Sequence, residues 1–258
     1  MPNCKLCQKK EADKLNSHII PKFLAKRLFE STKPRHSIHI NRKGKGRKIQ
    51  DTPKENFILC KQCEKRLEHL ETLTSRKITS INNYNNLKDK FSIKKYGRNK
   101  ILECLTINPI EFKSFIYSIV WRASISSLPE FETFKLDKTT EKELRIFLDK
   151  TLKNSHKDLV YSISKTTDLP NYHYCVFKPL MRNKFSRGIF TAYRMAEFQF
   201  GVFTVDYIIL FYTNIKDMDP AFEFVSNFQN EKLIITLTGT DDWKMLNELV
   251  VRKMLRKK

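Results

Sequence analysis

The chain has 258 residues, 40% hydrophobic and 12% aromatic, with 49 Lys+Arg against 28 Asp+Glu for a formal charge of +21. That apolar content supplies a core and excludes wholesale disorder, and the length allows one large domain or two modest ones. The longest apolar stretch, Phe198 to Tyr212, is about 15 residues long and contains Gln199 and Asp206, too short and too polar to span a bilayer. Cys4 and Cys7 lie among lysines with no apolar segment of the secretory kind behind them, so the expectation is a cytoplasmic protein with no membrane partner.

In chain order, a first CxxC pair, Cys4 and Cys7, precedes Ser17-His18-Ile19-Ile20-Pro21, which reads as a strand, and a short helix over Phe23–Phe29. Arg42, Lys43, Lys45, Arg47 and Lys48 follow, interleaved with Gly44 and Gly46, as a loop or hairpin tip. His36 and His39 beside it read as incidental surface histidines. Asn56 stands four residues before the second CxxC pair, Cys60 and Cys63, and Leu67, Leu70, Thr74, Ile78 and Ile81 then recur at helical spacing. Residues 82–107 lose that period and read as a basic linker between a first unit (1–81) and a second (108–258).

The second unit opens with a capped helix. Asn108, Pro109 and Glu111 are a start signal, and Phe112, Phe115, Ile116, Ile119, Val120 and Ala123 make one apolar face. Within it, Trp121 and Arg122 read as a core indole beside a snorkelling cation. A helix over Thr140–Lys153 follows, then strands over Leu159–Ser164, Tyr172–Phe177, Gly188–Tyr193, Phe203–Phe211 and Leu233–Thr238, and a closing helix from Asp241. Arg182, Lys184, Arg187 and Arg194, near Phe185 and Tyr193, are a milder basic and aromatic cluster, an extended nucleic-acid surface or simple edge protection. The fold class is α+β, with helices packed on a mostly antiparallel sheet.

The charge is lopsided: residues 1–100 hold 26 Lys+Arg and 9 Asp+Glu, and residues 101–258 hold 23 and 19. Compositional drift would load both parts alike, so the first unit points to a polyanionic partner. In a reducing compartment two CxxC pairs read as one tetrahedral structural zinc site held by Cys4, Cys7, Cys60 and Cys63. Cys104 and Cys175 stand alone in apolar surroundings and read as buried small residues. Arg42 to Lys48 is the best candidate phosphate clamp, the alternative being a solvated basic loop.

Taken together, the two CxxC pairs, the Ser17-His18-Ile19-Ile20-Pro21 strand and Asn56-Phe57-Ile58-Leu59-Cys60 resemble the zinc-supported HNH nucleases, a ββα-metal fold in a treble-clef setting. The resemblance covers residues 1–80 and says nothing of the rest. It implies an endonuclease cutting double-stranded DNA, of the kind found in restriction or phage defence. His18 would be the general base, Asn56 a brace for the His18 loop, and Glu64 a ligand of one magnesium or manganese ion. Two positions depart from the family pattern. Ser17 stands where the family carries Asp, and Glu64 where it carries His or Asn. Glu68, His69 and Glu71 lie along the same helix as possible substitutes or as a solvated face. His18 is open to other readings, a packed strand-end residue or an alternative zinc ligand. The rivals to a nuclease are a zinc-finger protein that grips nucleic acid without cutting, and an interaction protein in which zinc only staples the N-terminus. In every case the second unit could orient, dimerise or trigger the first.

Overall fold

In the computed structural model, which describes residues 1–30, 36–40, 45–97, 99–180 and 190–256, the chain leaves the first cysteine pair through strand β1 (Ser17–His18). Pro21 then caps the start of a 3-10 turn (Lys22–Ala25), which runs into helix α1 (Lys26–Glu30). Strands β2 (Ser37–Ile40) and β3 (Gly46–Ile49) form an antiparallel hairpin with His39 opposite Arg47. Strand β4 (Lys54–Glu55) then returns to pair antiparallel with β1, placing Ser17 opposite Glu55 and His18 opposite Lys54. Helix α2 (Lys61–Asn82) buries Cys63, Leu67, Leu70, Thr74, Ile78 and Ile81, the face expected from their spacing.

Residues 82–107 are not an unstructured linker. They contain strands β5 (Phe91–Tyr96) and β6 (Asn99–Cys104), which pair antiparallel across a turn at Gly97, φ 56°. The polarity that hides them belongs to an edge. Lys94 and Lys232 both pair with Glu103 Oε1, at 2.9 and 2.8 Å, while Phe91, Leu102 and Cys104 turn inward.

Helix α3 (Pro109–Ile125) starts where the capping signal puts it. Asn108 Oδ1 accepts from the backbone N–H of Ile110 at 2.9 Å and of Glu111 at 3.3 Å. Helices α4 (Lys138–Thr151) and α5 (His156–Ser164) follow. The latter replaces the strand expected over Leu159–Ser164. Ser155 caps it by accepting from the Asp158 N–H at 3.1 Å, and Leu159 and Ile163, four apart, are its buried residues. Strands β7 (His173–Pro179), β8 (Thr191–Arg194), β9 (Gln199–Phe203) and β10 (Ile208–Tyr212) come next, then a short helix α6 (Pro220–Glu223), strand β11 (Leu233–Thr238) and helix α7 (Thr240–Arg256). The strand expected over Phe203–Phe211 is two strands. Thr204 turns the chain between them, its Oγ1 accepting from the Tyr207 N–H at 3.0 Å.

The seven strands form one sheet in the order β5-β6-β11-β7-β10-β9-β8, antiparallel except where β11 meets β7. The fold is α+β. Among the described residues, no helix is long and apolar enough to cross a membrane. A smaller core around Phe177, Ile208, Trp243 and Val250 lies under α7. The main core is continuous from Cys4, Leu59 and Leu67 at the cysteine end through Phe115 and Trp121 of α3 to Tyr174 and Ile235 of the sheet. Cys104 and Cys175 are both buried, and burial pushes their thiols up to about 12.

Arg122 departs from its sequence reading. It does not snorkel to solvent but is 2% exposed, pairing with Glu71 Oε1 of α2 at 2.7 Å. Arg122→Met alone leaves the half-buried Glu71 without its counter-charge and is expected to cost about 3 kcal/mol, read as a lowered urea midpoint at unchanged slope.

Candidate metal centre and candidate active site

The first cysteine pair sits on a tight turn. The Gln8 N–H donates to the Cys4 carbonyl at 2.9 Å with Gln8 at φ 56°, and the Cys4 N–H donates to Lys10 O at 2.7 Å. The second pair opens α2, Cys60 being its N-cap and accepting at Sγ from the Cys63 N–H at 3.4 Å. Backbone bonds lace the two together: Lys5 N–H to Ile58 O at 2.9 Å, and Lys14 N–H to Leu59 O at 3.0 Å. As a result the ligand atoms of Cys4, Cys7, Cys60 and Cys63 all lie within 4.8 Å of one another. Four thiolates on a Zn–S bond of about 2.3 Å would stand roughly 3.8 Å apart, so the set fits zinc with slight contraction. Among the described residues it is the one group of three or more Cys, His, Asp or Glu close enough to hold a metal.

Ionisation within the set is shared. The hydrogen bond from Cys63 holds the Cys4 thiol down to about 4, against burial that raises it. Cys63 is pushed up by that same bond and by burial, and Cys60 chiefly by burial. Arg66 adds a compensating charge, with Nη1 3.6 Å from Cys63 Sγ and 2.8 Å from Asp149 Oδ1 of α4.

His18 lies half-buried on β1, beside this centre in the chain but not within the cysteine cluster. Its Nδ1 pairs with Thr52 Oγ1 at 2.7 Å, and its carbonyl accepts from Arg122 Nη1 at 2.9 Å. Burial pushes its imidazole below the usual range. Asp51 pulls it back up, while Lys54, Lys22 and Arg122 push it further down. Asn56 Oδ1 accepts from the Asn16 N–H at 2.8 Å, two residues before His18, so the Asn56 side chain ties down the loop entering β1. Both flanks of that tie are in the left-handed region, Asn16 at φ 57° and Phe57 at φ 59°. For Phe57 that is a strained conformation.

Glu64 lies in the first turn of α2, and its Oε2 is buried with no hydrogen-bond partner among the described residues. Ser17 is fully buried and its Oγ is likewise unpartnered. Glu68 is exposed, and His69 is engaged away from the site, its Nε2 2.9 Å from Asn154 O and its ring edge-on to His156. Glu71 is held by Arg122. Of the basic stretch, Arg42 and Lys43 lie outside the described residues, as do Arg182, Lys184 and Arg187. Lys45 precedes β3, and Arg47 and Lys48 lie on it, all exposed.

Sequence reasoning missed Asp51, Thr52 and Lys54, which surround His18. They also line, with His39, Arg47 and Glu130, an open cleft of about 210 Å³ between the β2–β3 hairpin and the β1–β4 pair. His39 Nε2 closes one side on Glu130 Oε1 at 3.0 Å, and Lys54 pairs with Asp51 at 2.6 Å. The signal available was Asp51-Thr52-Pro53, a turn sequence just ahead of Asn56.

No protein-family model matches the chain, and neither does any curated protein or solved structure.

Proposed function

We propose that the chain is an HNH-type endonuclease that hydrolyses DNA phosphodiester bonds, with a structural zinc at its four N-terminal cysteines. The observation that carries this reading is the order strand, strand, helix around one histidine. His18 on β1 is paired through β4 to α2, Asn56 braces the β1 entry, and the cysteine cluster lies at the helix start.

In this reading His18 is the general base. Neutral imidazole is favoured by its burial, and with Nδ1 occupied by Thr52 the Nε2 nitrogen is left to take the proton from an attacking water. Arg47 and Lys54 line the cleft that also holds Thr52, the partner of His18, and offer positive charge to the strand being cut. Glu64, with its orphaned buried Oε2, is the fitting donor for a magnesium or manganese ion that takes its remaining ligands from water and phosphate. When bound, such an ion would stabilise charge developing on the phosphate.

The test is zinc-loaded protein on supercoiled plasmid with magnesium or manganese. Relaxed or linear product that vanishes on chelation and returns with the divalent ion supports the reading. An uncut plasmid with either ion overturns it.

A second reading is favoured by Ser17, which replaces the family carboxylate with a fully buried hydroxyl. The chain would then bind nucleic acid without cutting it. Under both readings Arg47→Ala/Lys48→Ala should weaken plasmid binding and lower the slope of log affinity against log salt by roughly 1 for each phosphate no longer neutralised. An unchanged slope would take the hairpin out of the interface.

A further inference from the structure

Two groups from the end of α3 reach the paired strands that carry His18. Arg122 Nη1 donates to the His18 carbonyl at 2.9 Å and pairs with Glu71 at 2.7 Å, while its Nε donates to the Ser118 carbonyl at 3.1 Å. The buried guanidinium is therefore held by three partners. One turn on, where α3 ends, the Ser127 N–H donates to Glu55 Oε1 at 3.0 Å, and the hydroxyls of Ser126 and Ser127 donate to the same carboxylate. Glu55 is the residue opposite Ser17 in the strand pair. One helix thus grips β1 at the carbonyl of His18 and β4 at its last residue.

Apolar side chains of similar volume would pack such a place at least as stably as a buried ion pair. What the polar arrangement adds is direction, since a charged N–H donor, itself held by Ser118 and Glu71, fixes where the His18 peptide carbonyl lies.

We propose that α3 is a positioning element of the candidate nuclease site, Arg122 setting the placement of the His18 imidazole through its main-chain carbonyl and Ser126–Ser127 holding the opposing strand. The proposal rests on the nuclease reading for its catalytic consequence, though not for its geometry. A displacement of about 1 Å in a reacting group can cost on the order of 10²-fold in rate, so a shift of α3 would alter cutting without touching substrate. The sheet unit would then act on the site through this helix.

The deciding variant is Arg122→Met/Glu71→Leu, which removes both charges and leaves neither stranded. Its control is Arg27→Met/Asp206→Asn, which breaks another ion pair between the two units, from α1 to the β9–β10 turn. Two readouts are taken on zinc-loaded protein: the split of kcat from KM in plasmid cleavage, and the 15N signature of the His18 ring, which reports its pairing with Thr52. The expected result is a kcat lowered about 10²-fold at unchanged KM and an averaged ring signature in the first variant, with the wild-type signature and rate in the control. Equal effects in both variants, or none in either, would overturn the proposal. If the Arg122 variant does not fold, Ser126→Ala/Ser127→Ala is read by the same two criteria. If the wild type cuts nothing, the nuclease reading falls, and the ring signature alone decides whether α3 places His18.

Discussion

Replacing His18 with Ala is expected to lower metal-dependent plasmid cleavage by about 10²–10⁴-fold, the usual contribution of a positioned general base, with plasmid retention in a gel unchanged. A packed histidine with no part in chemistry would instead lower stability and leave the rate per folded molecule intact, so the assay is normalised to zinc content. The pH profile sharpens the test. Burial lowers the His18 pKa below its ordinary 6.5, so the imidazole stays neutral where an exposed histidine would be half charged. Cleavage should hold its plateau to below pH 6.5 and then fall. Stability follows the same shift. Between the folded and unfolded values the unfolded chain binds the proton and the native one does not, so stability drops as pH falls through that window and is recovered as pH rises. A plateau ending above pH 6.5 would argue that some other group is the base.

Cys60→Ser is expected to have the largest effect on the fold. Tetrahedral cysteine sites contribute about 10–16 kcal/mol of binding energy in small zinc modules, and a lost thiolate forfeits much of it. Bound zinc should fall from one ion per chain to a small fraction, measured by elemental analysis. Because Leu59 and Cys60 belong to the same core as α3 and the sheet, the thermal transition should shift as a whole rather than split into an early step and a late one. A variant that keeps its zinc, or a wild type whose melting is indifferent to chelation, would remove the structural metal from the account.

The parts of this molecule legible in its sequence are those whose signal is local. A CxxC turn declares itself in four residues, and the α3 start in Asn108-Pro109-Ile110-Glu111. The inner face of α2 follows from a period sustained over its whole length. The parts that were not legible depend on partners far along the chain. Strand β5 is the edge of the sheet and β6 lies just inside it, between β5 and β11, and their lysines give the pair the polarity of a tether. Helix α5 is short, and Val160 and Tyr161 stand exposed on it, so its apolar content mimics a strand. The β9–β10 pair is buried on both faces, and the turn is marked by Thr204 and Asp206 alone within an otherwise apolar run. The surroundings of His18 were invisible for the same reason. Thr52 is brought to it by strand return, and Arg122 by a helix of the second unit, 104 residues away.

The two halves of the cysteine cluster, and the two strands that frame His18, are separated by the whole β2–β3 hairpin. During synthesis Cys4 and Cys7 leave the ribosome with only half a tetrahedron between them. They wait for some fifty further residues, a few seconds at about 5–20 residues per second, before Cys60 and Cys63 can close it. Over that interval β1 has no partner and His18 no Thr52. A nascent chain of this protein therefore has neither a closed cysteine cluster nor the surroundings of His18 until the start of α2 has emerged, and the grip of α3 comes later still.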